Sequence, residues 1–174
     1  SIGTLYENEC FKDSTSFFLK SYYSFGALSV MADLQNRKTS FNYEGSTQFD
    51  KLHWNFFNPT VGINYQISDA VEAYYSIGKV GREPTRTDIF GGNDNLEVDE
   101  NGNPLIFITE EESVVDQELG LRISLSRLSL NTNLYYMDFD NQIVLNGQFG
   151  PNGLALNEGV DTSTQVGVEM SLSY

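Results

Sequence analysis

The sequence predicts an all-β chain, an antiparallel wall of strands of the kind that crosses a membrane. Three observations carry this. Seven segments alternate apolar and polar residues with period two, and short links between them alternate with long polar ones. The faces opposite the apolar ones are Asn, Ser, Gly, Gln and Tyr with sparse charge, as in a barrel lumen, where a solvated sheet would show Lys and Glu.

The first segment, "SFFLKSYYSF", sets Phe17, Leu19, Tyr23 and Phe25 against Lys20, Tyr22 and Ser24. After the two residues "GA", "LSVMADLQNRKTSF" sets Leu28, Val30, Ala32 and Leu34 against Ser29, Asp33, Gln35 and Arg37. In "PTVGINYQI", Val61, Ile63, Tyr65 and Ile67 alternate with Gly62, Asn64 and Gln66. Past "SDA", "VEAYYSIGK" alternates Val71, Ala73, Tyr75 and Ile77 with Glu72, Tyr74, Ser76 and Gly78. "ELGLRISL" sets Leu119, Leu121, Ile123 and Leu125 against Gly120, Arg122 and Ser124. Beyond "SR", "LSLNTNLYY" sets Leu128, Leu130, Leu134 and Tyr136 against Ser129, Asn131, Asn133 and Tyr135. Last, "VGVEMSLSY" sets Val166, Val168, Met170, Leu172 and Tyr174 against Gly167, Glu169, Ser171 and Ser173.

Short turns at one end and long links at the other fit an outer-membrane barrel, with turns in the periplasm and loops outside. The expected extracellular loops lie near residues 41–54, 84–114 and 146–164. No Lys, Arg, Asp or Glu interrupts the seven apolar faces, where one Arg or Lys at midplane costs about 2–4 kcal/mol. Tyr65, Tyr75, Tyr136 and Tyr174 are placed to form an interfacial girdle. The longest apolar runs, Leu105–Ile108 and Leu134–Met137, exclude a transmembrane helix and say nothing against strands.

Charge narrows the partners. With 10 Lys and Arg against 24 Asp and Glu, the net charge of −14 argues against nucleic acid and against a polybasic membrane anchor. One cysteine, Cys10, rules out an internal disulfide and a cysteine-rich metal site. In "VEAYYSIGKVGREPTRTDIF" the alternation ends where Pro84 and the charges begin, so this strand leaves the bilayer there and enters the outer mouth.

Arg82, Glu83, Arg86 and Asp88 are candidates to line a substrate vestibule; the competing reading is that they pair with one another to order the mouth. His53 and Trp54 are candidate ligand contacts, against an interface-anchor role for the tryptophan and plain exposure for the histidine. Asp94, Glu97, Asp99 and Asn101 cluster within 91–103, but an EF-hand alignment on Gly102 puts Ile108 where a bidentate Glu is needed. "DENGNP" suits a hairpin turn better. "EEES" lacks the geometry of a glycosidase pair, and no cofactor motif or catalytic set is present, so no enzyme is expected.

Four stretches, "FNPTVGINYQISDAVEAYYSIGKVGREPTRTDIF", "VVDQELGLR", "LNTNLYYMDFDNQIVLNG" and "VGVEMSLSY", resemble in their order the β-barrel of TonB-dependent outer-membrane receptors, particularly those of Bacteroidetes. The resemblance covers about residues 17–174. It implies import of a scarce nutrient, a ferric siderophore or similar complex, powered through the TonB complex. Such receptors have about 22 strands around a plug. Seven strands without a plug are therefore expected to be a piece of one, working with outer-membrane lipid, the remainder of the receptor and, through it, TonB. A surface lipoprotein over the mouth is a further candidate partner. Two other readings stay open: a soluble β-sandwich that binds glycans or other ligands, and a small stand-alone structural barrel with "PLIFIT", Pro104–Thr109, as an eighth strand. The favoured reading of "PLIFIT" is a β-extension of the loop above the membrane.

Overall fold

The computed structural model describes residues 6–45 and 47–174. Seven strands form a single antiparallel sheet in chain order: β1 (Glu9–Phe25), β2 (Leu28–Glu44), β3 (Leu52–Ser68), β4 (Val71–Arg82), β5 (Glu112–Ser124), β6 (Ser129–Phe149) and β7 (Ala155–Ser173). Among the described residues one short helix, α1 (Arg86–Ile89), lies between β4 and β5. Each predicted segment coincides with part of a strand to within one residue at its end, and each short link is a tight turn. The Gly26–Ala27 turn has Gly26 at φ 59°, and the Leu125 amide closes the third turn on the Leu128 carbonyl at 2.8 Å.

The register aligns the apolar faces across the whole sheet. Tyr23, Val30, Ile63, Tyr75, Leu119, Leu134 and Val168 are successive cross-strand partners. One position along, Ser24, Ser29, Asn64, Tyr74, Gly120, Asn133 and Glu169 form the matching row on the other face. A slip of one residue on any strand would exchange the rows, so the pattern holds the pairing. On the polar face Tyr74 lies over Gly120 and Tyr135 over Gly167. A Cβ on either glycine would sit 2.3 Å or 2.2 Å from the ring above it. Arg122 stacks 4.2 Å from the Tyr74 ring centre and pairs with Glu72 on the neighbouring strand.

A sandwich would cover the apolar face with a second sheet about 10 Å away. Here that face is bare: Phe17, Leu19, Val166 and Val168 are all more than half exposed. The sandwich reading is therefore wrong, because a sheet whose apolar face meets no protein suits lipid. Pro104–Thr109 is not a membrane strand either. Its only ladder contact among the described residues is an isolated bridge, Val98 to Pro104, and Phe107 and Ile108 donate instead to the carbonyls of Ile89 and Asp88. It is a return segment packed on the helix, so the stand-alone barrel loses its eighth strand.

The strands are longer than a bilayer needs. On β1 the outward face is apolar apart from Ser21 between Phe25 and Phe17, roughly 27 Å along the strand. At a tilt of about 35–45° that gives roughly 19–22 Å of height, close to the usual apolar band. The remaining residues project beyond it, so the links at the long-loop end shorten to 45–51, 83–111 and 150–154.

Above the band the two faces exchange character. The outward face becomes Lys38, Ser40 and Asn42 on β2 and Asn55 and His53 on β3. The inward face becomes Thr39, Phe41 and Tyr43 on β2 and Trp54 and Phe56 on β3, all of them buried. Water has replaced lipid outside, and a loop has moved in against the inside.

Candidate functional site

That loop is Glu83–Glu111, and its path starts at a capping sequence. Pro84 ends β4, and Thr85 caps α1. The Thr85 hydroxyl accepts from the Asp88 amide at 3.3 Å, and the Asp88 carboxylate accepts from the Thr85 amide and hydroxyl at 2.7 Å each. This reciprocal box satisfies amides that a four-residue helix would otherwise leave unpaired. It turns Ile89 and Phe90 toward the sheet, where they are 0% and 1% exposed.

Ile89, Phe90 and Leu96 fill a cage made by Phe41, Tyr43, Phe49, Trp54 and Phe56. Phe90 meets Tyr43 edge-on at 5.4 Å between ring centres and Phe41 at 6.1 Å, geometries favoured by ring quadrupoles. The polar atoms in the cage are also paired. Trp54 Nε1 donates to the Thr109 carbonyl at 2.8 Å, and the Tyr43 hydroxyl donates to Asn95 Oδ1 at 2.7 Å.

Two charged clasps hold the ends of the loop. Glu83, with a side chain 5% exposed, meets Lys12 of β1 at 2.7 Å and Arg37 of β2 at 2.8 Å. Arg37 also donates to the Gly81 carbonyl at 3.1 Å and lies 4.5 Å over the Phe56 ring. Burial pushes the Glu83 carboxyl up, but the hydrogen bond from Lys12, a backbone hydrogen bond and the charges of Arg37 and Lys12 outweigh it and leave it below the usual carboxylate range. At the other end Glu112 receives Arg82 through two bonds, 2.7 Å and 3.1 Å, and the Ile143 amide at 2.7 Å. Burial raises the Glu112 carboxyl too, and these partners again bring it below the ordinary range.

The loop also reaches the far side of the sheet. Asn157 of β7 donates to Asp88 at 2.6 Å, and Asn152 at the β6–β7 tip donates to Asp94 at 3.3 Å. Asn8 holds Asn95 at 3.0 Å and the Asp94 carbonyl at 3.2 Å from the β1 side. Glu83–Glu111 is therefore a strap across the concave face, joined to both its sides. Behind the strap lies a recess of about 310 Å³, lined by Phe107, Ile108, Thr109, Glu110, Asn141, Gly159 and Asp161.

The four charges at the strand end lie together, and each has its partner outside the set: Arg82 with Glu112, Glu83 with Lys12 and Arg37, Asp88 with Thr85 and Asn157. Arg86 donates to the Asp94 carbonyl and stacks 5.2 Å over Phe90. His53 and Trp54 point to opposite faces. His53 is exposed on the outer surface opposite Ser40, and Trp54 is 6% exposed in the inner cage, away from any bilayer interface. In the 91–103 segment Asp99 accepts from the Asn101 amide at 2.8 Å and from the Asn103 amide and side chain at 2.9 and 3.0 Å, which closes a tight turn. Asp94, Glu97 and Asp99 do not converge into a metal-holding group among the described residues.

Sequence reasoning missed the cage and the clasp partners Lys12 and Arg37. The available signal was phase: on β2 the large apolar residues shift from even positions through Leu34 to odd positions at Phe41 and Tyr43.

Comparison with known proteins agrees with this architecture. The family described as "TonB dependent receptor-like, beta-barrel" matches residues 5–174. Among solved structures, the copper transporter OprC is similar with a TM-score of 0.75 at 15% identity, over 95% of this chain and 26% of that one. The FrpB iron transporter of Neisseria meningitidis (F3-3 variant) is similar with 0.69 at 15%, over 98% and 24%. The alcaligin outer membrane receptor FauA of Bordetella pertussis gives 0.57 at 18%, over 95% and 27%. Comparison with curated protein sequences returns no match. The chain spans about a quarter of the length of the structures it resembles. By its family match over nearly its whole length, this chain belongs to the TonB-dependent receptor-like β-barrels of the outer membrane.

Proposed function

We propose that these residues form part of the wall and outer mouth of a TonB-dependent transporter that imports a scarce nutrient, a ferric siderophore or a similar metal complex. The observation that carries the reading is the pairing of an uncovered apolar band with a strap docked on the concave side above it. A lipid-embedded wall needs the first, and a barrel that narrows its mouth around a cargo needs the second. The residues near 41–54, 84–114 and 146–164 then face the outside, the Asn, Ser, Gly and Tyr rows line the lumen, and the recess at Phe107 opens onto the cargo's path.

The named proteins of similar fold support metal-complex import as the class to test first. Besides the iron and copper transporters, they include the ferric-catecholate import receptor Fiu of E. coli and the ferric preacinetobactin receptor BauA of Acinetobacter baumannii. On this reading the rest of the receptor supplies the plug and the TonB contact, and a surface lipoprotein over the mouth is an optional partner.

The test begins with the native polypeptide. A chain several times longer than 19.5 kDa in the detergent-extracted outer membrane is expected. In cells lacking it, energised uptake of a panel of radiolabelled ferric chelates and copper complexes should fall for one of them and return with the full-length gene. A 19.5 kDa species soluble without detergent would sink the reading. Unchanged uptake across the panel would move the cargo outside metal complexes.

A further inference from the structure

Three Asn–Gly pairs occur in the chain, Asn101–Gly102, Asn146–Gly147 and Asn152–Gly153, and all lie at the long-loop end. In such a pair the glycine nitrogen can reach the asparagine side chain, because no Cβ stands in its way. The nitrogen gives up its proton and attacks Cγ, the Cγ–Nδ2 bond breaks, and ammonia leaves a cyclic succinimide. Water then opens the ring to aspartate or isoaspartate, so a neutral residue becomes an anion. Water is the only co-reactant, and the step needs a side chain free to turn.

The three pairs differ in how firmly the fold holds them. Asn152 sits in the β6–β7 link with its side chain held at both ends. Its Oδ1 accepts from the Leu154 amide at 3.1 Å, and its Nδ2, the leaving group, donates to Asp94 of the strap at 3.3 Å. The attacking Gly153 amide is engaged too, with the Gly150 carbonyl at 2.9 Å. The strap also packs on this turn: a Cβ built at Gly92 would lie 3.6 Å from the Gly150 Cα and against the Leu156 side chain. The Asn146 side chain has a local bond alone among the described residues, accepting from the Gln148 amide at 2.9 Å, and Gly147 stands where the β6–β7 register shifts. Among the described residues the amides of Asn101 and Gly102 are bonded only to Asp99, at 2.8 Å and 3.0 Å, and the Asn101 side chain is free.

We propose that Asn152 is a deamidation site guarded by the strap. While the strap is docked, Asp94 and Gly92 hold the turn and the side-chain amide stays intact. Once the strap lifts, Asn152 is released to cyclise, and the carboxylate that follows faces Asp94. A hydrogen bond of 3.3 Å is thereby exchanged for repulsion between like charges, so the modified mouth closes less well than the original. The reaction marks receptors whose strap has opened. The inference rests on the docked strap and not on what the barrel carries.

Peptide mapping by mass spectrometry of the full-length receptor tests it, after incubation in mildly alkaline buffer, with all three asparagines quantified in one sample. In wild type Asn152 should deamidate about tenfold more slowly than Asn101 and Asn146, the upper range of what one hydrogen bond supplies. Phe90→Ala, which empties the cage, should bring Asn152 up to the pace of Asn146 and leave Asn101 unchanged. Asp94→Ala cuts the tie and leaves the cage intact, so it serves if Phe90→Ala does not fold, and it should speed Asn152 alone. Hydrogen exchange over residues 86–96 reports docking in each variant. Asn152 that keeps pace with the other two in wild type, or stays slow in either folded variant, overturns the guard. For the product, Asn152→Asp should lose more strap protection at low salt than Asn152→Ala, which removes the bond without adding charge. Equal losses overturn the repulsion.

Discussion

The same seven strands are organised in opposite ways at their two ends. Near the short turns the outward face is apolar and the inward face polar, with Tyr74 over Gly120 and Arg122 paired with Glu72. Near the long loops, on β2 and β3, the inward face is aromatic and buried, and the outward face carries Lys38, His53 and Asn55. The difference teaches that period-two alternation records where the non-aqueous neighbour lies. In the wall that neighbour is lipid. At the mouth it is the strap.

If the two ends are stabilised separately, a lesion in one should spare the other. The largest effect is expected from Phe90→Ala, which empties the centre of the cage. It should cost about 3–5 kcal/mol of strap docking, seen as lost hydrogen-exchange protection over residues 86–96 with the β5–β6 ladder unchanged. Unfolding of the wall in step with the strap would show the two ends to be one unit.

A charge on the wall is the complementary lesion. Ile63→Arg, in the middle of the apolar band, should cost about 2–4 kcal/mol of barrel stability in urea unfolding from lipid vesicles. Lys38→Glu, just above the band, should change it little. Equal costs at the two positions would mean the band does not end at that height. A smaller effect is expected from Gly120→Ala. Its methyl group would have to displace the Tyr74 ring, costing about 1–3 kcal/mol, with the Tyr74 environment readable by ring-proton NMR.

Acid should loosen only the mouth. The folded-state carboxyls of Glu83 and Glu112 titrate below the ordinary range. Their contribution is therefore present above the unfolded value and lost as pH falls through the depressed one. Strap protection should drop as pH is lowered below about 4, and Glu83→Gln should flatten that response. Least of all is expected from Arg82→Gln: the arginine is 52% exposed, so about 0.2–1 kcal/mol is the range.

Much of the wall was legible because lipid imposes a repeating rule on every strand. Tyr23, Ile63, Leu119 and Val168 each announce their face from local sequence alone, and the short turns set where the count begins. The mouth was less legible because its rule comes from distant residues. Glu83 pairs with Lys12 and Arg37 across two other strands, which no spacing predicts. Trp54 and His53 are adjacent in sequence yet belong to different surfaces, since neighbouring strand residues face opposite ways. Thr85 and Asp88 are the exception: their capping box is local, and it was hidden among charges that invited a binding interpretation.

By itself the sequence determined the all-β class, the strand faces, the turn end and the family likeness, since each depends on contacts between neighbours in the chain or on the surrounding solvent. Only the tertiary structure decided how far the strands project, that residues 83–111 form a strap, and which charges remain free on the outer surface. Those outcomes depend on long-range packing: the strap docks because Ile89, Phe90 and Leu96 find a cage assembled from β2, β3 and the link between them, and docking in turn consumes the charges at its ends.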